Sequence, residues 1–233
     1  DIPFWDTENW QPVQLPAFHA GIFTSPVYLI RFTENRRRAK QFFESFLCSP
    51  FLSPPGGLDV TPESALEPNL QERDGCKYCH KGLEPAAAYW GRWTSRGAGY
   101  LDPLLFPEYN QICVDCVTSG GCPFDCGRHY ITSGFTTEES AYIGWLESFQ
   151  FLKEEDKDNV AFGPKLLFQK KILDGSIANC TTKTAVQWLI NRELKPFETK
   201  WLTELSSGFI ASGYNYKALI KAIVTHPYFR RVL

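Results

Sequence analysis

The chain has 233 residues, 43% hydrophobic and 15% aromatic, with a formal net charge of −2. This composition belongs to a packed globular protein and excludes a disordered one. The near-neutral balance gives no electrostatic basis for binding nucleic acid or an anionic membrane surface. No apolar run approaches the roughly 18 residues of a spanning helix.

Residues 1–32 are rich in Pro and aromatics, have little periodicity and predict an extended arm wrapped on a core. Thr33 stands as the N-cap of a helix reaching about Cys48. Ala39, Phe42, Phe43, Phe46 and Leu47 recur on one face of it. Arg36, Arg37 and Arg38 in its first turns predict a solvated face. Residues 49–72, with the run Ser53-Pro54-Pro55-Gly56-Gly57, predict a loop. Within 75–93 a short helix is expected after Cys76–His80. Residues 94–135 are dense in Gly, Pro and Cys and predict little regular structure.

From Phe135 the pattern changes to helices with short joints. Thr136 and Glu139 form a capping box, with Tyr142, Leu146, Phe149 and Leu152 following on one face. Pro164 marks a helix start, continued by Leu166, Leu167 and Ile172. A helix over about 182–192 should bury Val186, Trp188 and Leu189. Another from Pro196 to Gly213 should bury Trp201, Leu202, Leu205 and Phe209. The last, 215–225, rests on Leu219, Ile220 and Ile223 and is stopped by Pro227. Three regions are expected: 1–105, a 106–135 Cys-rich connector, and 136–233.

Eight cysteines are more than a cytosolic chain carries without metal. Cys76-Lys77-Tyr78-Cys79-His80 is the strongest signal. Two thiols on one helical turn can add to the two vinyl groups of a porphyrin, and the adjacent imidazole can reach its iron. This is the chemistry of one covalent haem c. The alternative is a Cys-x-x-Cys disulfide, or half a zinc site, with His80 beside it by accident. Pro85 could present its carbonyl to the His80 Nδ1–H. Tyr89, Trp90, Trp93 and Tyr100 either wall the porphyrin or pack a core. Arg92 and Arg96 could pair with propionates, as could the Arg36–Arg38 triplet.

The chain has no Met, so a His/Met axial pair cannot form. His19 is the preferred distal ligand over His129 and His226, with an open sixth position as the alternative. The six remaining cysteines suggest disulfides. For Cys113, Cys116, Cys122 and Cys126, with His129 nearby, zinc or an iron–sulfur cluster is the alternative.

These residues resemble the planctomycete-type cytochrome c family. His19-Ala20-Gly21-Ile22-Phe23-Thr24-Ser25-Pro26 is similar to that family's "aGiLTsP" stretch. Residues 35–48, the turn Ser53-Pro54-Pro55 and the Cys76–Pro85 block follow in the family's order, with Glu84 where the family carries Asp. Asn179-Cys180, Asn191-Arg192-Glu193-Leu194, Tyr216-Lys217-Ala218-Leu219-Ile220 and the ending His226-Pro227-Tyr228-Phe229-Arg230 also fit. The resemblance covers roughly 17–105 and 175–233, and the Cys113–Cys126 stretch looks like an insertion.

The resemblance implies haem c on Cys76, Cys79 and His80, and export to a bacterial periplasm, cell surface or medium. It implies no settled reaction. Family members are mostly longer, and the chain opens at Asp1. It is therefore expected to be the C-terminal portion of a precursor, or another mature or trimmed product. The expected fold is mainly α: a cytochrome-c-like haem region with an extended arm, packed on a C-terminal helical bundle. The expected function is electron transfer to a redox partner or to upstream domains, without nucleic acid or a membrane span, as a homo- or hetero-oligomer. The alternatives are a peroxidase-like haem enzyme or small-ligand sensor, and a structural module of a surface assembly. Electron transfer is preferred to catalysis.

Overall fold

The structure, a computed structural model, describes residues 5, 6, 8, 9, 14–52, 61 and 64–232. The Ser53–Gly57 run and most of the first thirteen residues lie outside the described residues. The fold is mainly α. Among the described residues the only β pairing is in isolated bridges, such as Trp93 with Tyr100 and Tyr130 with Leu146.

A short 3-10 turn, Gly21–Thr24, leads into α1 (Pro26–Arg31), so this part of the expected extended arm is helical. Ser25 caps α1 by accepting from the Tyr28 N–H, with Pro26 at the first helical position. Helix α2 (Asn35–Phe46) starts after Glu34 and not after Thr33. It ends in a left-handed residue, Cys48 at φ 51°, while the Ser49 N–H closes a seven-residue turn onto the Phe43 carbonyl. Helix α3 (Lys77–Ala88) carries the Cys76–His80 segment in its first turn and packs along α2. Phe23, Tyr28, Leu29, Ala39, Phe42, Ala86, Ala87, Tyr89, Trp90 and Trp93 make the first core, together with Leu167 and Ile177 from far along the chain. The small residues Ala86–Ala88 allow this close approach. Gly91 is required on the other side, toward the second core: a Cβ there would lie 2.7 Å from Val160 Cγ1.

Arg36 and Arg37 are exposed as a solvated face requires, but Arg38 departs from that reading. It is fully buried and donates to the carbonyls of Leu29, Phe32, Thr94 and Gly97. Desolvation lowers its pKa to about 10, so it remains charged at neutral pH. It ties α1 and the 94–97 turn to α2, with carbonyl dipoles in place of a carboxylate.

Residues 94–135 are more ordered than their composition predicts. Helix α4 (Gln111–Ser119) is capped by Asn110, and α5 (Phe124–His129) follows. Cys113, Cys116 and Cys126 are buried here with Leu101, Tyr130, Leu146, Phe149 and Val160. Helix α6 (Thr137–Ser140) is a single turn. Thr136 caps it, but Glu139 reaches back to the Phe135 N–H rather than to Thr136. The chain then turns irregularly, so Tyr142, Leu146, Phe149 and Leu152 do not share a helical face.

Helix α7 (Glu154–Leu173) breaks at Gly163, where φ is 71°, and Pro164 opens its second half as expected. Helices α8 (Ser176–Ile190), α9 (Thr199–Ala211) and α10 (Tyr216–Thr225), with the terminal turn α11 (Phe229–Val232), enclose the third core. Trp201, Leu205, Phe209, Leu219 and Ile223 are buried as the periodicity predicts. Trp188, expected inside, is 77% exposed. It sits on the side of α8 away from Ala178, Ala185 and Val186. Glu198 is buried in a fork with Arg192, whose guanidinium holds the carboxyl down to about 2.

Candidate functional site

The first turn of α3 begins at the Cys76 carbonyl, which accepts from the N–H groups of Cys79 and His80 at 3.2 and 3.0 Å. Cys76 already has helical dihedrals, φ −77° and ψ −36°. The two thiols therefore sit three residues apart on one helical face. On a helix such positions hold Cβ atoms about 5–6 Å apart, wider than the about 3.5–4.5 Å of a closed disulfide. Both cysteines are half-buried and unpaired. The Cys79 thiol lies 3.6 Å from the Leu52 carbonyl. The Phe51 ring, packed on Phe43, would be 3.4 Å from a Cβ at Gly82, so Phe51 lies against the same helix.

His80 is held by a residue one turn on. Its Nδ1 is 2.5 Å from Glu84 Oε1, and the same oxygen accepts from Arg36 Nε at 2.6 Å. The His80 and Glu84 side chains are 20% and 16% exposed. A carboxylate only accepts, so Nδ1 carries the hydrogen and Nε2 is the nitrogen left for a metal. Pro85 was expected to take this position. It lies inside α3, where carbonyls point toward the C-terminal end and away from His80. Its carbonyl accepts instead from Asn159.

The remaining expected haem contacts are not gathered around His80. Tyr89, Trp90, Arg92 and Trp93 follow α3, and eight residues of helix alone separate Ala88 from His80 by about 12 Å. Trp90 is fully buried and donates to the Phe23 carbonyl. Tyr89 accepts from Lys170. Trp93 meets the edges of Phe18 and Tyr100. Arg92 donates to the Phe106 carbonyl and lies over the Phe149 ring. All four are core residues here. Beside His19, Phe18 stacks on Tyr100 at 3.8 Å, beyond the far end of α3. His19 Nδ1 accepts from the Gly21 N–H, which in a neutral ring puts the hydrogen on Nε2. His129 packs against Phe106, and burial lowers its pKa. His226 sits on Trp201.

The expectation of a protein-held metal is overturned. Among the described residues no group of three or more His, Cys, Asp or Glu side chains is placed to hold a metal ion. The second cysteine cluster is closed by disulfides Cys113–Cys126 and Cys116–Cys122, and Cys48–Cys180 joins the end of α2 to α8. Neither zinc nor an iron–sulfur cluster has free thiolates there. Three disulfides fit an extracellular or periplasmic setting. Among the described residues no helix is long and apolar enough to cross a membrane.

A cavity of about 660 Å³ opens beside α3, lined by Arg36, Glu84, Gln71, Trp93, His129 and Glu147 among others. Burial raises the Glu147 carboxyl, partly offset by Arg96.

Sequence reasoning missed the His80–Glu84 pair, although their spacing of four is the ordinary signature of neighbours on a helix face. It also missed that Arg36 reaches Glu84, a contact across two helices without a local signal. Compared with protein-family models, curated proteins and solved structures, the chain matches none.

Proposed function

We propose that this chain is an exported electron-transfer module bearing one covalent haem c on Cys76, Cys79 and His80. One observation carries the reading. Six of the eight cysteines close disulfides, and the two left as thiols share one helical turn with a histidine whose Nδ1 is fixed by a carboxylate. Haem c asks for this set: two thiols for thioether bonds and one imidazole presenting Nε2. It would need no further protein ligand cluster, because the porphyrin would supply four nitrogens to the iron itself.

A bound haem supplies a one-electron couple at its iron. The chain's own residues do the rest. Cys76 and Cys79 anchor the ring edge, His80 offers Nε2, and Glu84 fixes the imidazole. The α2–α3 packing holds the turn in place. Three disulfides and the resemblance of residues 17–105 to the planctomycete-type cytochromes support maturation outside the cytoplasm.

A second reading, a haem open to a small ligand, is favoured by where the other histidines lie: His19 beyond the far end of α3, His129 on Phe106 and His226 on Trp201. One experiment tests both. The protein is made in a host that matures cytochromes c, and its spectrum is taken oxidised, dithionite-reduced and with carbon monoxide. A two-thioether haem band unchanged by carbon monoxide supports electron transfer. A band that shifts supports the ligand-binding reading. Absence of a Soret band overturns both.

A further inference from the structure

We propose that Glu84 is the positioning residue that sets the reduction potential of a haem bound at His80, and that Arg36 tempers Glu84 through the oxygen they share. The inference rests on the haem reading above and deepens it.

Glu84 Oε1 is 2.5 Å from His80 Nδ1 and 2.6 Å from Arg36 Nε. The Glu84 side chain is only 16% exposed, so little water competes for it. Accepting the Nδ1 hydrogen pushes electron density onto the imidazole and makes Nε2 a stronger donor. A stronger, more anionic ligand favours the ferric over the ferrous iron and lowers the potential. Arg36 acts against this. Its guanidinium draws on the same oxygen, weakens the pull on Nδ1–H and places a positive charge nearby. Arg36 is half-exposed on α2, whereas His80 and Glu84 ride on α3. The α2–α3 packing therefore fixes the strength of the His80 bond. The electron itself comes from an external one-electron donor and ends on the iron; no covalent bond is made or broken.

The test is potentiometry of the holoprotein with Glu84→Gln and Arg36→Gln. Glu84→Gln keeps an amide oxygen for Nδ1–H but removes the charge. It should shift the reduction equilibrium at least tenfold toward ferrous iron, about 59 mV upward. Arg36→Gln should shift it the other way, and it leaves His80 and Glu84 intact if Glu84→Gln impairs haem attachment. Asp74→Asn removes a carboxylate from the turn just before α3, where it pairs with Lys77, without touching His80; its shift should be smaller than that of Glu84→Gln. The His80 Nδ1–H proton resonance is read in the low-spin ferrous protein, with carbon monoxide added if the iron is five-coordinate. It should move in both Glu84 and Arg36 variants and stay fixed in Asp74→Asn. Equal shifts for Glu84→Gln and Asp74→Asn, or same-sign shifts for Glu84 and Arg36, overturn the inference and leave the haem reading standing. Wild-type protein without haem bands overturns both.

Discussion

The chain has two Cys-x-x-Cys segments on helices, and the fold treats them in opposite ways. In α4, Cys113 and Cys116 do not pair with each other but with Cys126 and Cys122, which the following chain brings back onto them. In α3, Cys76 and Cys79 occupy the same relative positions, no other cysteine returns to them, and both stay free. Neither Cys-x-x-Cys pair is closed on itself. What differs is surroundings. The α4 pair is buried among Leu101, Tyr130, Leu146 and Phe149, where a neutral disulfide is far less costly than thiolates. The α3 pair is half-buried beside a histidine and a carboxylate. Whether a cysteine pair is closed or left free follows from what the rest of the chain delivers to its helix face.

The comparison breaks first if the two halves are independent. A 1–134 fragment would lose Leu146, Phe149 and Val160 from the second core and Leu167 and Ile177 from the first. It should not fold; a cooperative melt of that fragment by calorimetry would contradict the shared cores. Next in size is Cys48→Ser with Cys180→Ser. This disulfide spans 132 residues, and its loss should cost about 4–5 kcal/mol by loop entropy, read by urea denaturation. Cys116→Ser with Cys122→Ser opens a span of 6 residues and should cost about 2 kcal/mol by the same measurement.

The α3 pair should behave differently again. Cys76→Ala in the haem-free protein should change stability by under about 1 kcal/mol, because the thiol is half-exposed and unpaired. In the haem-loaded protein the same change should abolish the two-thioether spectrum. A loss of stability as large as that at Cys48 would erase the distinction between the pairs.

Acid gives the mildest test, one that should touch neither cysteine pair. Glu198 titrates at about 2 folded against an ordinary 4.5, held down first by its hydrogen bonds from Arg192. Its folded pKa lies below its unfolded one, so its contribution is complete above about 4.5 and is lost as pH falls toward 2. Acid should therefore loosen the α8–α10 bundle in that window, and Glu198→Gln should flatten the effect in a pH series of thermal melts. An unchanged profile in the variant would remove Glu198 as the cause.

Much of the C-terminal bundle was legible. Leu205, Phe209, Leu219 and Ile223 repeat at helical spacing, and Asn215 announces its own cap by accepting from the Ala218 N–H. Helices α4 and α5 were not, because Gly, Pro and Cys suppress the local signal while two disulfides supply order from outside the segment. Asn110, which caps α4, was the clue available. The motif Cys76-x-x-Cys79-His80 was legible by spacing alone. Its partner was legible only as a pair of residues four apart, and Pro85 drew attention from Glu84.

The helical character, the spacing of Cys76, Cys79 and His80 on one turn, and most of the bundle's buried faces were set by the sequence itself. Those features depend on residues near one another along the chain, where periodicity and spacing report directly. Tertiary structure alone decided which cysteines pair, that Arg38 is buried against four carbonyls, that Trp90 belongs to the core, and that Arg36 meets Glu84. Each of these joins residues distant in sequence, and their free energy depends on the surroundings the folded chain creates, which no local pattern encodes.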